Sequence, residues 1–324
     1  KAASDSGVTR AGRTGVVLYA AVAIALLLAA VFVGVRRFMP AAGMRETVLT
    51  PVPLTTYVGS EYSPSFSPDG SQVAFAWTGP NRDNVDIYIK MIGADNPVRL
   101  TSDPAPEGAP AWSPDGRTIA FLRALPGQKA GIFLMPAIGG PERKVATINV
   151  CDGTLSWHPG GEWLSTGERN PPEAPCAIYA VSVATGEKRR LTNPPVPSTD
   201  GIGIFSPDGW RMVFFRSRAV GDLYITDVSD QMTPVGEPRR LTFLNVFRCA
   251  GNWTADGKEI LFSTFREGES GELWRTPASG EGAPRGLAIR AAEGTFPVMS
   301  RKGNRLAYVR YGWDSNLLRL PIGP

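Results

Sequence analysis

Beyond residue 50, apolar residues come in short runs separated by polar turns: Val73 to Phe75, Ile119 to Leu122, Trp163 to Leu164, Met212 to Phe215, Ile260 to Phe262 and Leu306 to Val309. Runs this short, rich in Val, Ile, Phe and Tyr and bounded by Gly, Pro, Asp and Ser, read as strands. Each follows a tight-turn signal, clearest in Ser67-Pro68-Asp69-Gly70. Pro pre-sets φ at about −65° for the second turn position, and Gly takes the left-handed conformation that a side chain resists.

The turn recurs as Ser113-Pro114-Asp115-Gly116, His158-Pro159-Gly160-Gly161, Ser206-Pro207-Asp208-Gly209, Thr254-Ala255-Asp256-Gly257 and, degraded, Ser300-Arg301-Lys302-Gly303. Successive turn glycines (Gly70, Gly116, Gly161, Gly209, Gly257, Gly303) are 46, 45, 48, 48 and 46 residues apart. Each unit adds a third strand, such as Asp86 to Ile89 or Asp222 to Ile225, and most close with a fourth, such as Val98-Arg99-Leu100-Thr101 or Arg239-Arg240-Leu241-Thr242. Four strands per unit with turn signals between them is the pattern of a β-propeller blade. The expected fold is all-β, a six-bladed β-propeller of four-stranded blades, preceded by one transmembrane α-helix.

No fourth strand is legible after Asn316 to Leu318 in the sixth unit. Its counterpart lies at the other end, where Pro51-Val52-Pro53-Leu54-Thr55-Thr56 matches Pro97-Val98-Arg99-Leu100-Thr101-Ser102 at four of six positions, each segment starting 19 residues before its turn glycine. Residues 51–57 are therefore expected to pair with the last blade and remove the open sheet edge.

The repeated Ser-Pro-Asp-Gly turns, the Asp-Ile-Tyr type third strands and the Arg-Leu-Thr endings resemble the TolB-like branch of the WD-repeat propellers, over roughly residues 51–324. Two departures, His158 in place of the turn Ser and Arg301-Lys302 in place of Pro-Asp, leave the turn geometry of blades three and six open. The resemblance is specific for fold. In function it implies bacterial regulators in which a cytoplasmic winged-helix DNA-binding domain or a Ser/Thr kinase domain is joined through one membrane helix to a sensing propeller. It equally covers a TolB-like periplasmic envelope scaffold and the propeller of a prolyl oligopeptidase-type peptidase lacking its catalytic domain.

The segment before the propeller divides by polarity. Residues 1–14 are small, polar and basic and suit a solvated tail. Residues 15–35 carry no charge and are long enough as a helix to cross a hydrocarbon core. A cleaved signal peptide, with Pro40-Ala41-Ala42-Gly43 as its small-residue site, is the alternative. Residues 36–50 form a stalk. Lys1, Arg10 and Arg13 on one side balance Arg36, Arg37 and Arg45 on the other, so charge does not set the orientation. The resemblance does: it implies the inner membrane, the N-terminal part in the cytoplasm and the propeller in the periplasm.

The net charge of +4 is spread among mixed-sign residues, which argues against nucleic-acid binding by these residues; DNA enters only through a further N-terminal domain. The single histidine, His158, occupies a turn, and the chain has neither a Gly-x-Ser-x-Gly elbow nor a phosphate-cradling loop, so no enzyme activity and no cofactor are expected. Three cysteines are too few and too scattered for zinc. Blade topology puts Cys151 and Cys176 on one rim, within reach of a disulfide that an extracytoplasmic compartment favours; three free buried thiols, with Cys249, are the alternative.

Nine residues before the turn glycines stand Glu61, Glu107, Asp152, Asp200, Arg248 and Gly294, with Glu293 beside the last. In a propeller these positions sit near the mouth of the central channel. Carboxylates crowded around one axis attract cations and basic groups, which makes the mouth a candidate site for a protein or small-molecule partner, or for Ca2+. The competing reading is structural: acids that accept backbone N–H bonds as the chain enters each blade.

Overall fold

Four strands per unit require each hairpin turn to close tightly, and the repeated side chains do this. The computed structural model describes residues 49–265, 271–289, 294–302, 304–310 and 316–321. In blade one the Ser67 hydroxyl donates to Asp69 Oδ1 (2.6 Å) and accepts the Gln72 amide (2.9 Å), while Asp69 Oδ1 accepts the Ser71 amide (3.0 Å). With the Ser67 hydroxyl as the largest cause, these bonds hold the Asp69 carboxyl at about 2. Ser113 with Asp115, Ser206 with Asp208 and Thr254 with Asp256 repeat the arrangement. Gly70, Gly116, Gly161, Gly209 and Gly257 have φ between 67° and 82°, the left-handed region the turn requires.

The departure in blade three keeps the same turn, and the departure in blade six keeps the bonds that flank it. In blade three the His158 amide donates to Trp163 O and the Gly161 amide to His158 O, both at 2.9 Å, and imidazole Nδ1 accepts the Gly160 amide at 3.1 Å. In blade six the Ser300 amide donates to Arg305 O, and the Arg305 amide to the Ser300 hydroxyl, both at 2.9 Å.

The strands form six antiparallel sheets of four, a six-bladed β-propeller. The inner strands are Glu61–Phe66, Glu107–Trp112, Ser156–Trp157, Thr199–Phe205, Arg248–Trp253 and Thr295–Met299. In blades one, three and four the Arg-Leu-Thr endings fasten the outermost strand to the third. Arg99 Nε donates to Thr101 O, and Thr101 Oγ1 accepts the Ile87 amide; Arg190 with Thr192 and Arg240 with Thr242 do the same to Ile178 and Leu223, all between 2.9 and 3.0 Å. Arg99 and Arg240 also pair with Asp86 and Asp222, the first and second residues of the third strands of blades one and four (2.5 and 2.6 Å).

Blades adhere through the aromatic residue that precedes each turn. Phe66, Trp112, Trp157, Phe205 and Trp253 are all buried, and each packs into the core of the preceding blade: Trp112 against Ala74 and Ile87, Trp253 against Val213 and Phe215, Phe66 against Ala307 and Leu317. Trp157 and Trp253 also donate their indole N–H across the blade boundary to Ala111 O (2.9 Å) and Ile204 O (3.0 Å). A large apolar body with one polar handle suits such a boundary.

The ring closes with a strand from the opposite end of the chain. Val52–Pro53 pairs antiparallel with Asn316–Pro321, in the register Val52 to Arg319 and Pro53 to Leu318. Thr55 Oγ1 accepts the Leu317 amide at 2.8 Å, the bond Thr101 makes within blade one. Leu49, assigned above to the stalk, donates its amide to Ala288 O (2.8 Å) and bridges Ile289. The expected membrane helix over 15–35, like the rest of 1–48, lies outside the described residues; among those described, no helix is long and apolar enough to cross a membrane.

Candidate functional site at the central channel

The residues at the start of each inner strand are held by their own surroundings. Glu61 is fully buried; its Oε2 accepts the Thr55 hydroxyl and the Leu317 amide (3.0 Å). Burial is the largest cause that lifts its pKa from 4.5 to about 7. Glu107 accepts Arg123 Nε at 2.6 Å, and the same guanidinium reaches Glu142 (2.7 Å) and Asp103 (3.3 Å). Asp200 takes Arg216 in a bidentate fork at 2.6 and 2.8 Å. Bidentate Arg–carboxylate pairs of this kind lock geometry as well as charge.

Asp152 plays a different part. Blade three's inner strand is reduced to Ser156–Trp157, and the Asp152 carboxylate substitutes for the lost ladder by accepting the amides of Thr154 (3.1 Å), Gly167 (3.3 Å) and Ile202 in blade four (2.6 Å). Burial raises its pKa against the pull of those amides. Gly167 is required: a Cβ there would lie 2.5 Å from the carboxylate. Beside it Cys151 and Cys176 are joined in a disulfide, Cα to Cα 6.0 Å, while Cys249 is a buried free thiol whose pKa burial pushes well up. The crosslink spans 25 residues, for which loop closure corresponds to about 3.5 kcal/mol. Cys151→Ser should therefore lower unfolding stability by about that amount in urea titration; an unchanged midpoint would refute this role.

Arg248 opens the inner strand of blade five; its side chain and Glu293 lie outside the described residues. Among the described residues, no three His, Cys, Asp or Glu side chains are grouped so as to hold a metal ion. The acids thus share equivalent positions, and their described partners are the blades' own donors.

Farther along the inner strands lies a cavity of about 210 Å3, walled by residues from all six blades. Four of its wall residues, Ser63, Ala109, Ile202 and Phe296, have φ between 48° and 56°, each seven positions before its turn glycine. At each one the pairing of the first two strands slips, between Tyr62 and Ser65, Gly108 and Ala111, Gly201 and Ile204, and Thr295 and Val298. These are β-bulges with a strained non-glycine residue, a feature that collects at functional sites because it re-aims the chain. His158 is not part of the cavity wall: its Nδ1 serves the turn, and its ring meets Phe205 edge-on at 5.1 Å.

Residues 50–193 match the TolB beta propeller domain family. Over those residues, which are its first three blades, the propeller is TolB-like. TolB from Acinetobacter baumannii superposes with a TM-score of 0.62 at 20% identity, over 79% of this chain and 64% of that one. The chain therefore spans less than two thirds of that TolB. A calcium-binding regucalcin from Agrobacterium tumefaciens gives 0.60 at 17% identity, over 85% of this chain and 95% of its own. An oligogalacturonate lyase from Vibrio parahaemolyticus gives 0.55 at 12%, over 84% and 93%. No curated protein matches the sequence. At these identities the likeness is one of fold, and a fold that serves a TolB, a calcium-binding protein and a lyase does not choose among activities.

Proposed function

We propose that the TolB-like propeller is a non-catalytic recognition module that takes its ligand in the central channel and is carried on a single membrane helix, residues 15–35, with the propeller on the extracytoplasmic side. The observation that carries this reading is the channel cavity, walled by all six inner strands and braced by four strained bulges. The chain's single imidazole is engaged in a turn away from it. Support for the compartment comes from Cys151–Cys176, since disulfides persist in oxidising surroundings. Binding in the channel would be passed through the helix to a cytoplasmic output domain, of the DNA-binding or kinase kind that the sequence resemblance implies.

Topology provides the test. Alkaline phosphatase fused after Pro324, in cells carrying the full chain, should be active, and mass analysis after alkylation should find two of the three cysteines protected until reductant is added. An inactive fusion, or three alkylated cysteines without reductant, would place the propeller in the cytoplasm and overturn the reading.

A further inference from the structure

The wall of the channel cavity contains Ser, Thr, Pro, Ala, Gly, Asn and apolar side chains and, with them, a single charged group, Arg301. Its place in the repeat is telling. Where blades one, two and four put Pro68, Pro114 and Pro207 on the cavity rim, and blade five puts Ala255, the degraded turn of blade six puts a guanidinium.

Four arginines elsewhere in the propeller are paired with carboxylates: Arg99 with Asp86, Arg123 with Glu107, Arg216 with Asp200 and Arg240 with Asp222, all within 2.6 Å. Arg301, exposed at the rim but crowded by the wall, has no acidic partner among the described residues. Crowding lowers its pKa with no opposing charge to restore it. A cation on the wall of a cavity that has no other charged residue is an attraction for an anion, since the ion pair gains strength as water is excluded.

We propose that the hairpin end of the channel binds a small apolar molecule by its single carboxylate, with Arg301 forking the carboxylate and the ring of prolines and Phe296 covering the apolar body. Three features fix the class. One guanidinium offers two parallel N–H groups that match one carboxylate, whereas a phosphate dianion would leave a charge unbalanced. The wall around it has no other charge and is more apolar than polar, so the rest of the ligand is neutral and largely apolar. The volume of about 210 Å3 suits one six-membered ring and its carboxylate, given that a cavity of about 150 Å3 holds benzene. This inference rests on the channel being the recognition site and specifies what it recognises. The same chemistry is presented by a free aromatic acid and by the C-terminus of a peptide ending in Phe.

Saturation-transfer NMR and calorimetry on the full chain in detergent would use phenylacetate, its neutral isostere phenylacetamide, and Gly-Gly-Phe with a free or an amidated terminus. Phenylacetate is expected to bind saturably, at least about tenfold more tightly than phenylacetamide, and Arg301→Gln should remove that difference while Arg301→Lys keeps part of it. Unliganded melting curves of both variants should match the parent's, because Arg301 sits at an exposed turn. Binding of the free peptide but not the amidated one, with phenylacetate silent, would support the carboxylate site with a chain terminus as its source. Equal binding of acid and amide, unmoved by Arg301→Gln, would overturn the carboxylate and leave channel recognition standing. No binding by any probe at millimolar concentration would overturn both.

Discussion

Deleting residues 51–57 from the full chain is expected to lower the melting temperature by about 10 °C or more and to make the protein aggregate on heating. The segment buries Leu54 (6% exposed), and large-to-small changes at such sites cost about 2 to 5 kcal/mol. It also supplies the ladder to Asn316–Pro321, the bonds of the Leu54 and Thr55 amides to Leu317 O (2.9 and 3.3 Å), and the Thr55 hydroxyl shared by Glu61 and Leu317. At about 1 kcal/mol per hydrogen bond these add several more, and the buried Glu61 Oε2 loses one of its two donors, the Thr55 hydroxyl. The strand of blade six that remains would be an open sheet edge, a template for pairing with another chain. A coincident pair of melting curves and equal light scattering for parent and deletion would show that the seam does not hold the ring. Blades one and six would still touch elsewhere, through Arg305 Nη1 on Gly70 O (2.5 Å), so the expected product is a loosened ring rather than an unfolded chain.

The ring was legible in the sequence because its determinants are local. A Ser, an Asp and a Gly within four residues are enough to make the hairpin, and the spacing of Gly70, Gly116, Gly161, Gly209, Gly257 and Gly303 along the sequence counts the six blades. The seam was legible for a related reason: the Thr of Arg-Leu-Thr bonds the start of the third strand, so a Thr in the same frame at position 55 marks a fourth strand wherever the chain puts it. The tolerance of His158 and of Arg301-Lys302 was not legible, because the backbone bonds that flank each turn do not need the replaced side chains.

The candidate site was read only in outline, and the gap is one of register. Glu107 faces Arg123, and Asp200 faces Arg216, as directly opposed residues of the first two strands. Cross-strand pairing follows once the register is known, but a bulge in each of those strands shifts it. A sign of three of the four bulges lay in view. Pro64, Pro110 and Pro297 interrupt inner strands, where a residue without an N–H is tolerated only at an edge or a bulge. The cavity left no such sign, since it depends on how six strands approach one axis.

Stability should fall as pH rises from about 5 to 8, and Glu61 should account for about 3 kcal/mol of the fall. In the unfolded chain this carboxyl ionises at its ordinary 4.5; in the folded protein burial holds it to about 7. Between those values the folded state keeps a proton that the unfolded state has released, so each step up in pH favours unfolding. The contribution is complete below about 4.5 and gone once pH passes about 7, and a difference of this size is worth about 3 kcal/mol. The geometry agrees with a neutral group: Oε2 already receives the Thr55 hydroxyl and the Leu317 amide, while Oε1 is buried without a hydrogen-bond partner. Two donors at one oxygen do not offset the loss of water around a full negative charge. Glu61→Gln keeps the acceptor and removes the titration. Urea unfolding at pH 5 and pH 8 should show a smaller difference for the variant than for the parent, by about 3 kcal/mol, whatever the variant's absolute stability. Equal differences in the two proteins would mean that Glu61 is ionised in the folded state. Because Glu61 bonds the two segments that close the ring, its proton is a term in the seam itself: alkaline conditions should open the propeller first between blades six and one, where hydrogen exchange of the Leu317 amide would report it.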